Sequence, residues 1–110
     1  MLIQLSLEGS GHENTGSGST QTSLTSHDAI VHLEYDITDP PPKPSPQWTR
    51  FICISDTHSR TFAVPDGDVL LHSGDLTAFG TAEDLLITME WLRRLPHPKK
   101  MFVCTYDICC

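Results

Sequence analysis

Apolar and polar positions alternate most clearly at 30–37, where Val31, Leu33, Tyr35 and Ile37 are separated by His32, Glu34 and Asp36. A period of two marks a half-buried strand. The polar set reads as the solvated face of an edge strand. Two short apolar runs follow, Phe51-Ile52-Cys53-Ile54 and Val69-Leu70-Leu71. Short runs that are apolar throughout predict strands buried on both faces, as in parallel sheets, here at about 50–55 and 69–72. Between them Pro65-Asp66-Gly67-Asp68 signals a turn, which makes Asp66 and Asp68 turn residues. Residues 81–95 change to a helical period: Leu85, Met89 and Leu92 share a face that Leu86, Trp91 and Leu95 widen. Thr81 with Asp84 fits a variant of the capping box, Arg93 and Arg94 suit the last turn, and Pro96 stops the helix. A third strand is expected at 100–104. Strand, helix and strand in this order predict a right-handed βαβ crossover.

The first half of the chain is poorer in apolar residues. Across 8–26 the single large apolar side chain is Leu24, too little to offset the entropy of ordering, so disorder is expected. The expected organisation is a disordered Ser/Thr/Gly-rich tail at 1–28, an edge strand and proline-rich lead-in at 29–49, and an α/β domain at 50–110. Five of the eight residues 39–46 are proline, which predicts an extended polyproline II segment. It reads first as a stiff spacer. Pro41 to Pro44 also forms a P-x-x-P, for which a partner with an aromatic groove is a second reading.

Charge narrows the partners. Seven basic against fourteen acidic residues give a formal charge of −7, which disfavours nucleic acid. The opening Met-Leu-Ile-Gln-Leu-Ser-Leu lacks a basic flank and is too short for a secretion signal or a membrane span. The expectation is a cytoplasmic chain with no membrane partner. Cys53 lies inside an apolar run, and Cys104, Cys109 and Cys110 crowd the last residues. This is no disulfide framework, and free thiols in a reducing compartment are expected.

The candidate chemistry sits where the two apolar runs stop. The first ends in Asp56 and His58, the second in Gly74 and Asp75. Ligands of open α/β sheets bind beyond the carboxyl ends of the strands. Asp56 and His58 are two apart, so an extended backbone would set both on one side. The two oxygens of Asp75 could bridge two ions. Mixed oxygen and nitrogen donors suit manganese, iron or zinc. Two such ions about 3.5–4 Å apart grip a phosphate and lower the pKa of a bound water. Asp-x-His alone is a common tripeptide; the order of motifs gives it specificity. His12 and His27 have no partner at ligand spacing and read as solvated, while His72, inside its strand, reads as a packing histidine.

The residues Phe51-Ile52-Cys53-Ile54-Ser55-Asp56-Thr57-His58-Ser59, with Leu70-Leu71-His72-Ser73-Gly74-Asp75-Leu76-Thr77 and Gly80, resemble the start of a calcineurin-like metallophosphoesterase. Leu33-Glu34-Tyr35-Asp36, the proline run and Trp48-Thr49-Arg50-Phe51 resemble the subgroup of metallophosphoesterase-domain proteins. The resemblance covers about 31–103. It implies the N-terminal β-α-β portion of a two-sheet sandwich, with Asp56 and His58 as ligands of one divalent ion and Asp75 as the bridge to a second. It also implies metal-dependent hydrolysis of a phosphate ester, and it assigns no catalytic residue here. After the third strand the family has Gly-Asn-His, whereas this chain has Thr105-Tyr106-Asp107, no asparagine after Asn14 and no histidine after His97. The expectation is an incomplete two-metal site, hence a truncated fragment without activity whose role is limited to binding.

Overall fold

The computed structural model describes residues 1–6 and 23–103. Their elements are β1 (Leu2–Ser6), β2 (Ser23–Thr25), β3 (Ala29–His32), β4 (Trp48–Ile54), β5 (Val69–His72), α1 (Ala82–Arg94) and β6 (Lys99–Phe102). One six-stranded sheet runs in the order β2-β3-β1-β4-β5-β6. β2, β3, β1 and β4 pair antiparallel, while β4, β5 and β6 pair parallel. The chain is therefore mixed α/β, with an open sheet and one helix. A second sheet, as a sandwich requires, is absent among the described residues.

The core follows from register. Leu2 lies opposite Ile52, and Ile52 opposite Leu70, so three side chains form a row across β1, β4 and β5. Leu76 and Leu92 close over that row, and all five are almost fully buried. Cross-strand apolar rows of this kind hold a sheet together. Gly67 lies against the same row. A Cβ there would stand 2.6 Å from Ile52 Cγ1, which accounts for glycine in that turn.

β1 corrects the expected boundaries. The opening residues do not belong to a tail: Leu2–Ser6 is an interior strand whose Leu2 and Gln4 are fully buried. Five residues with a buried, half-buried, buried pattern suffice for a strand between two others. Ser23–Thr25 is likewise a strand. The expected disorder falls mainly on 7–22, which lies outside the described residues. The predicted edge strand at 30–37 is shorter and sits elsewhere: β3 ends at His32 and lies between β2 and β1. Beyond the bend at Leu33 and Glu34, the Asp36 carboxylate accepts from Thr38 N at 2.9 Å and Thr38 Oγ1 at 2.7 Å. Such a side-chain-to-backbone bond folds the chain into a turn.

α1 has the predicted caps. Thr81 Oγ1 accepts from Asp84 N at 3.1 Å, and Leu95 N donates to Leu92 O at 3.2 Å. Its apolar stripe is rotated from the expected one. Thr88 and Leu92 are buried, whereas Leu86 and Met89 are exposed. Thr88 turns inward because its hydroxyl donates to Leu76 O at 2.8 Å. The proline segment is strapped against the sheet. Pro41 O accepts from Gln4 Nε2 at 3.0 Å and also from Arg50 Nη2. Lys43 Nζ reaches Asp68 Oδ2 at 3.1 Å. No helix among the described residues is long and apolar enough to cross a membrane. Cys53 is a free, half-buried thiol, and Cys104, Cys109 and Cys110 lie outside the described residues.

Candidate metal centre

The parallel strands β4 and β5 end side by side, and each turns at once. Beyond their ends Asp56, His58, Ser59 and Asp75 take φ of 55°, 48°, 60° and 55°. These are the positive-φ residues other than glycine among the described residues. Left-handed backbone costs about 1–2 kcal/mol at an ordinary L-residue. Its concentration at one place marks a site held in shape by its surroundings. The two loops hold one another by backbone bonds: Asp56 N to Gly74 O at 3.1 Å, His58 N to Asp75 O at 3.0 Å and Ser59 N to Leu76 O at 3.1 Å. Asp56 and His58 therefore come together by two left-handed corners, which corrects the expectation of an extended tripeptide.

The three side chains converge. One donor atom each from Asp56, His58 and Asp75 lies within 4.8 Å of the others, and His58 Nε2 is 3.9 Å from Asp56 Oδ1. His58 Nδ1 stands 3.3 Å from Thr77 O, an acceptor. Nδ1 thus donates to that carbonyl and Nε2 faces the cluster, the orientation of a metal-binding imidazole. Two carboxylates and an imidazole nitrogen form a donor set that fits a divalent cation.

Beneath the cluster lies a connection that the sequence did not signal. Thr57 and His72 are both 1% exposed. Gly74 N donates to His72 Nδ1 at 3.2 Å, so Nε2 carries the ring proton and donates to Thr57 Oγ1 at 2.9 Å. Thr57 in turn donates to Leu76 O at 3.5 Å. The middle residue of Asp56-Thr57-His58 is thereby bound to the strand that delivers Asp75. His72 packs inside, as expected, and also joins the two ligand loops. Burial lowers its pKa, which keeps the ring neutral. Leu76 O accepts from Ser59, Thr57 and Thr88, so α1 and both loops meet at one carbonyl.

The charges are left unbalanced. Asp75 is pushed up from the ordinary carboxylate range, first by its hydrogen bond with Asp56, then by desolvation and the Asp56 charge. Asp56 is held down, first by the Ser55 hydroxyl, which donates to it at 2.8 Å, and then by Asp75. Two carboxylates pressed together with no lysine or arginine beside them make a setting that favours a cation. Asp66 and Asp68 lie on the turn before β5, outside the cluster. Asp68 accepts from Arg50 N at 2.8 Å. His97 is buried, with Nε2 2.9 Å from Pro65 O.

Fold and cluster together define an α/β protein with a carboxylate–imidazole site, open to solvent, at the carboxyl ends of parallel strands. Over 64 residues, 56% of its length, the chain is 48% identical to the human protein named metallophosphoesterase domain-containing protein 1, of which that stretch is 19%. The mouse protein of the same name gives the same figures. A Caenorhabditis elegans protein named UPF0046 protein K07C11.7 is 43% identical over 70 residues, 62% of this chain and 24% of the worm protein. A stretch of 54 residues is 46% identical to an Emericella nidulans protein named probable rhamnogalacturonate lyase C, but makes up 5% of it. No family model matches the chain. The resemblance to metallophosphoesterase-domain proteins thus extends through the aligned sequence. The chain spans about a fifth of the length of the first relatives it matches.

Proposed function

We propose that Asp56, His58 and Asp75 hold one divalent cation, of the manganese, iron or zinc kind, and that this stretch supplies the first part of a phosphate-ester hydrolase centre. The convergence of the three donor atoms on strained, mutually bonded loops carries this reading. Three protein ligands leave coordination positions open for substrate oxygen. A bound cation would supply positive charge toward a phosphoryl group. The chain's own residues fix the donors: Thr77 O orients the His58 ring, and the Thr57–His72 pair keeps the two loops in register.

The 110 residues on their own bind the ion without hydrolysing phosphate esters at a useful rate. Thr105-Tyr106-Asp107, where the resembled family has Gly-Asn-His, favours this second reading. Such catalysis rests above all on stabilising the charge of the transition state, and half a donor set supplies little of that. Pro42, Pro44 and Pro46 stay exposed on the strap and are the surface that a groove-type partner would read. The test is hydrolysis of an aryl phosphate diester by the purified chain with manganese, beside Asp75→Asn. The expected outcome is no turnover above the manganese blank in either protein. Turnover that disappears in Asp75→Asn would overturn the inactive reading and leave the cation site standing.

A further inference from the structure

α1 leaves its outer face bare. Leu86 is 69% exposed and Ile87 53%, on the side of the helix away from the buried Thr88 and Leu92. Glu83, Leu86, Ile87, Glu90 and Arg94 recur three and four positions apart, so they form one stripe along the helix. Open grooves flank it: one of about 490 Å³ passes Phe62 and Trp91 beside Ile87, and one of about 380 Å³ passes Met89 and Phe102 beside Leu86. Charge is graded along the stripe, with Glu83 in the first turn and Arg94, beside Arg93, in the last. Glu90 holds both guanidinium groups at 2.9 and 3.1 Å, which orders them on this face.

We propose that this face is a self-association surface, on which a second copy of the chain lays its own α1 antiparallel about a two-fold axis. The charge gradient selects the occupant and its direction. With the axis between Thr88 and Met89, Glu83 faces the partner's Arg94, and Arg94 the partner's Glu83. A parallel pair would set acid on acid and base on base. In an antiparallel two-fold pair like flank meets like flank, so Ile87 reaches the partner's Phe62–Trp91 groove and Leu86 the partner's Met89–Phe102 groove. A two-fold interface must be self-complementary in this way. A helix of 13 residues makes a small interface, so the dimer is weak and forms at protein concentrations on the order of 100 µM.

Sedimentation equilibrium of the full chain tests the proposal. The apparent mass should rise with concentration from 12.2 kDa toward twice that value. Glu83→Lys alone and Arg94→Glu alone should each weaken association at least about tenfold, because each sets like charges opposite one another twice. An equimolar mixture of the two variants should associate again, since every opposed pair is then acid and base. Circular dichroism checks that each variant keeps its helix. A chain that stays monomeric throughout would overturn the proposal, as would association that survives both single variants or a mixture no stronger than its components.

Discussion

The two ends of the parallel strands β4 and β5 carry the same residue type in opposite electrical settings. At the amino end Asp68 accepts from Arg50 N at 2.8 Å and pairs with Lys43 at 3.1 Å. Its pKa is lowered, first by the Arg50 backbone hydrogen bond. At the carboxyl end Asp75 meets another carboxylate, and its pKa is raised, first by the hydrogen bond with Asp56. One aspartate is a finished structural joint; the other is set against a second carboxylate. Satisfaction by neighbours, rather than residue type, separates a structural acid from a candidate ligand.

The contrast gives predictions of decreasing size. Asp75→Asn, chosen because asparagine tolerates the positive φ, should weaken manganese binding at least about 100-fold, or about 2.7 kcal/mol, and shift folding stability by less than about 0.5 kcal/mol. Calorimetric titration and urea unfolding read the two effects; a variant that unfolds earlier but binds manganese unchanged would reverse the assignment. Thr57→Val should cost about 2 kcal/mol of stability, because it strands the buried His72 N–H. It should also lower manganese affinity about tenfold through misplaced loops. Loss of stability with unchanged affinity would reduce the Thr57–His72 pair to packing.

At the other end, Asp68→Ala should cost about 1–2 kcal/mol in urea unfolding, most of it from the lost bond to Arg50 N. The Lys43 pair is partly exposed, with side-chain exposures of 30% and 43%, and adds little. Manganese affinity should not change. The smallest effect is in pH. A depressed carboxylate contributes stability that is present above its unfolded value and lost as pH falls through its folded value. Asp68 follows this sign. Asp75, being raised, has the opposite sign and favours the folded state as it gains its proton. The stability gap between wild type and Asp68→Asn should therefore be under about 1 kcal/mol at neutral pH and close as pH falls below the ordinary carboxylate range. A gap that widens on acidification would contradict the assigned shift.

Much of the parallel half was legible, because both its strands and its site obey local rules. The runs at Phe51 and Val69 are apolar throughout, Thr81 and Pro96 bracket the helix, and Asp56, His58 and Asp75 follow strand ends. The antiparallel half was not. β1 is five residues long and its fully buried Gln4 reads as polar. Its place between β3 and β4 depends on pairing with residues 29–32 and 48–52, which no local pattern reveals. The alternation at 30–37 misled because the ladder stops at His32, and the chain beyond it bends into a turn that Asp36 and Thr38 hold. The route by which the ligands meet was also hidden, since left-handed φ at Asp56 and His58 comes from bonds to Gly74 and Asp75, far along the chain.

The central claim is that Asp56, His58 and Asp75 form a cation site while the Asp68 end does not. Anomalous diffraction from crystals of the chain grown with manganese tests it most directly. The account predicts one strong manganese peak, with its protein ligands from the Asp56 carboxylate, His58 Nε2 and the Asp75 carboxylate, and none beside Asp68. A peak among Asp66, Asp68 and Lys43, or no peak at the three donors under saturating manganese, would contradict it.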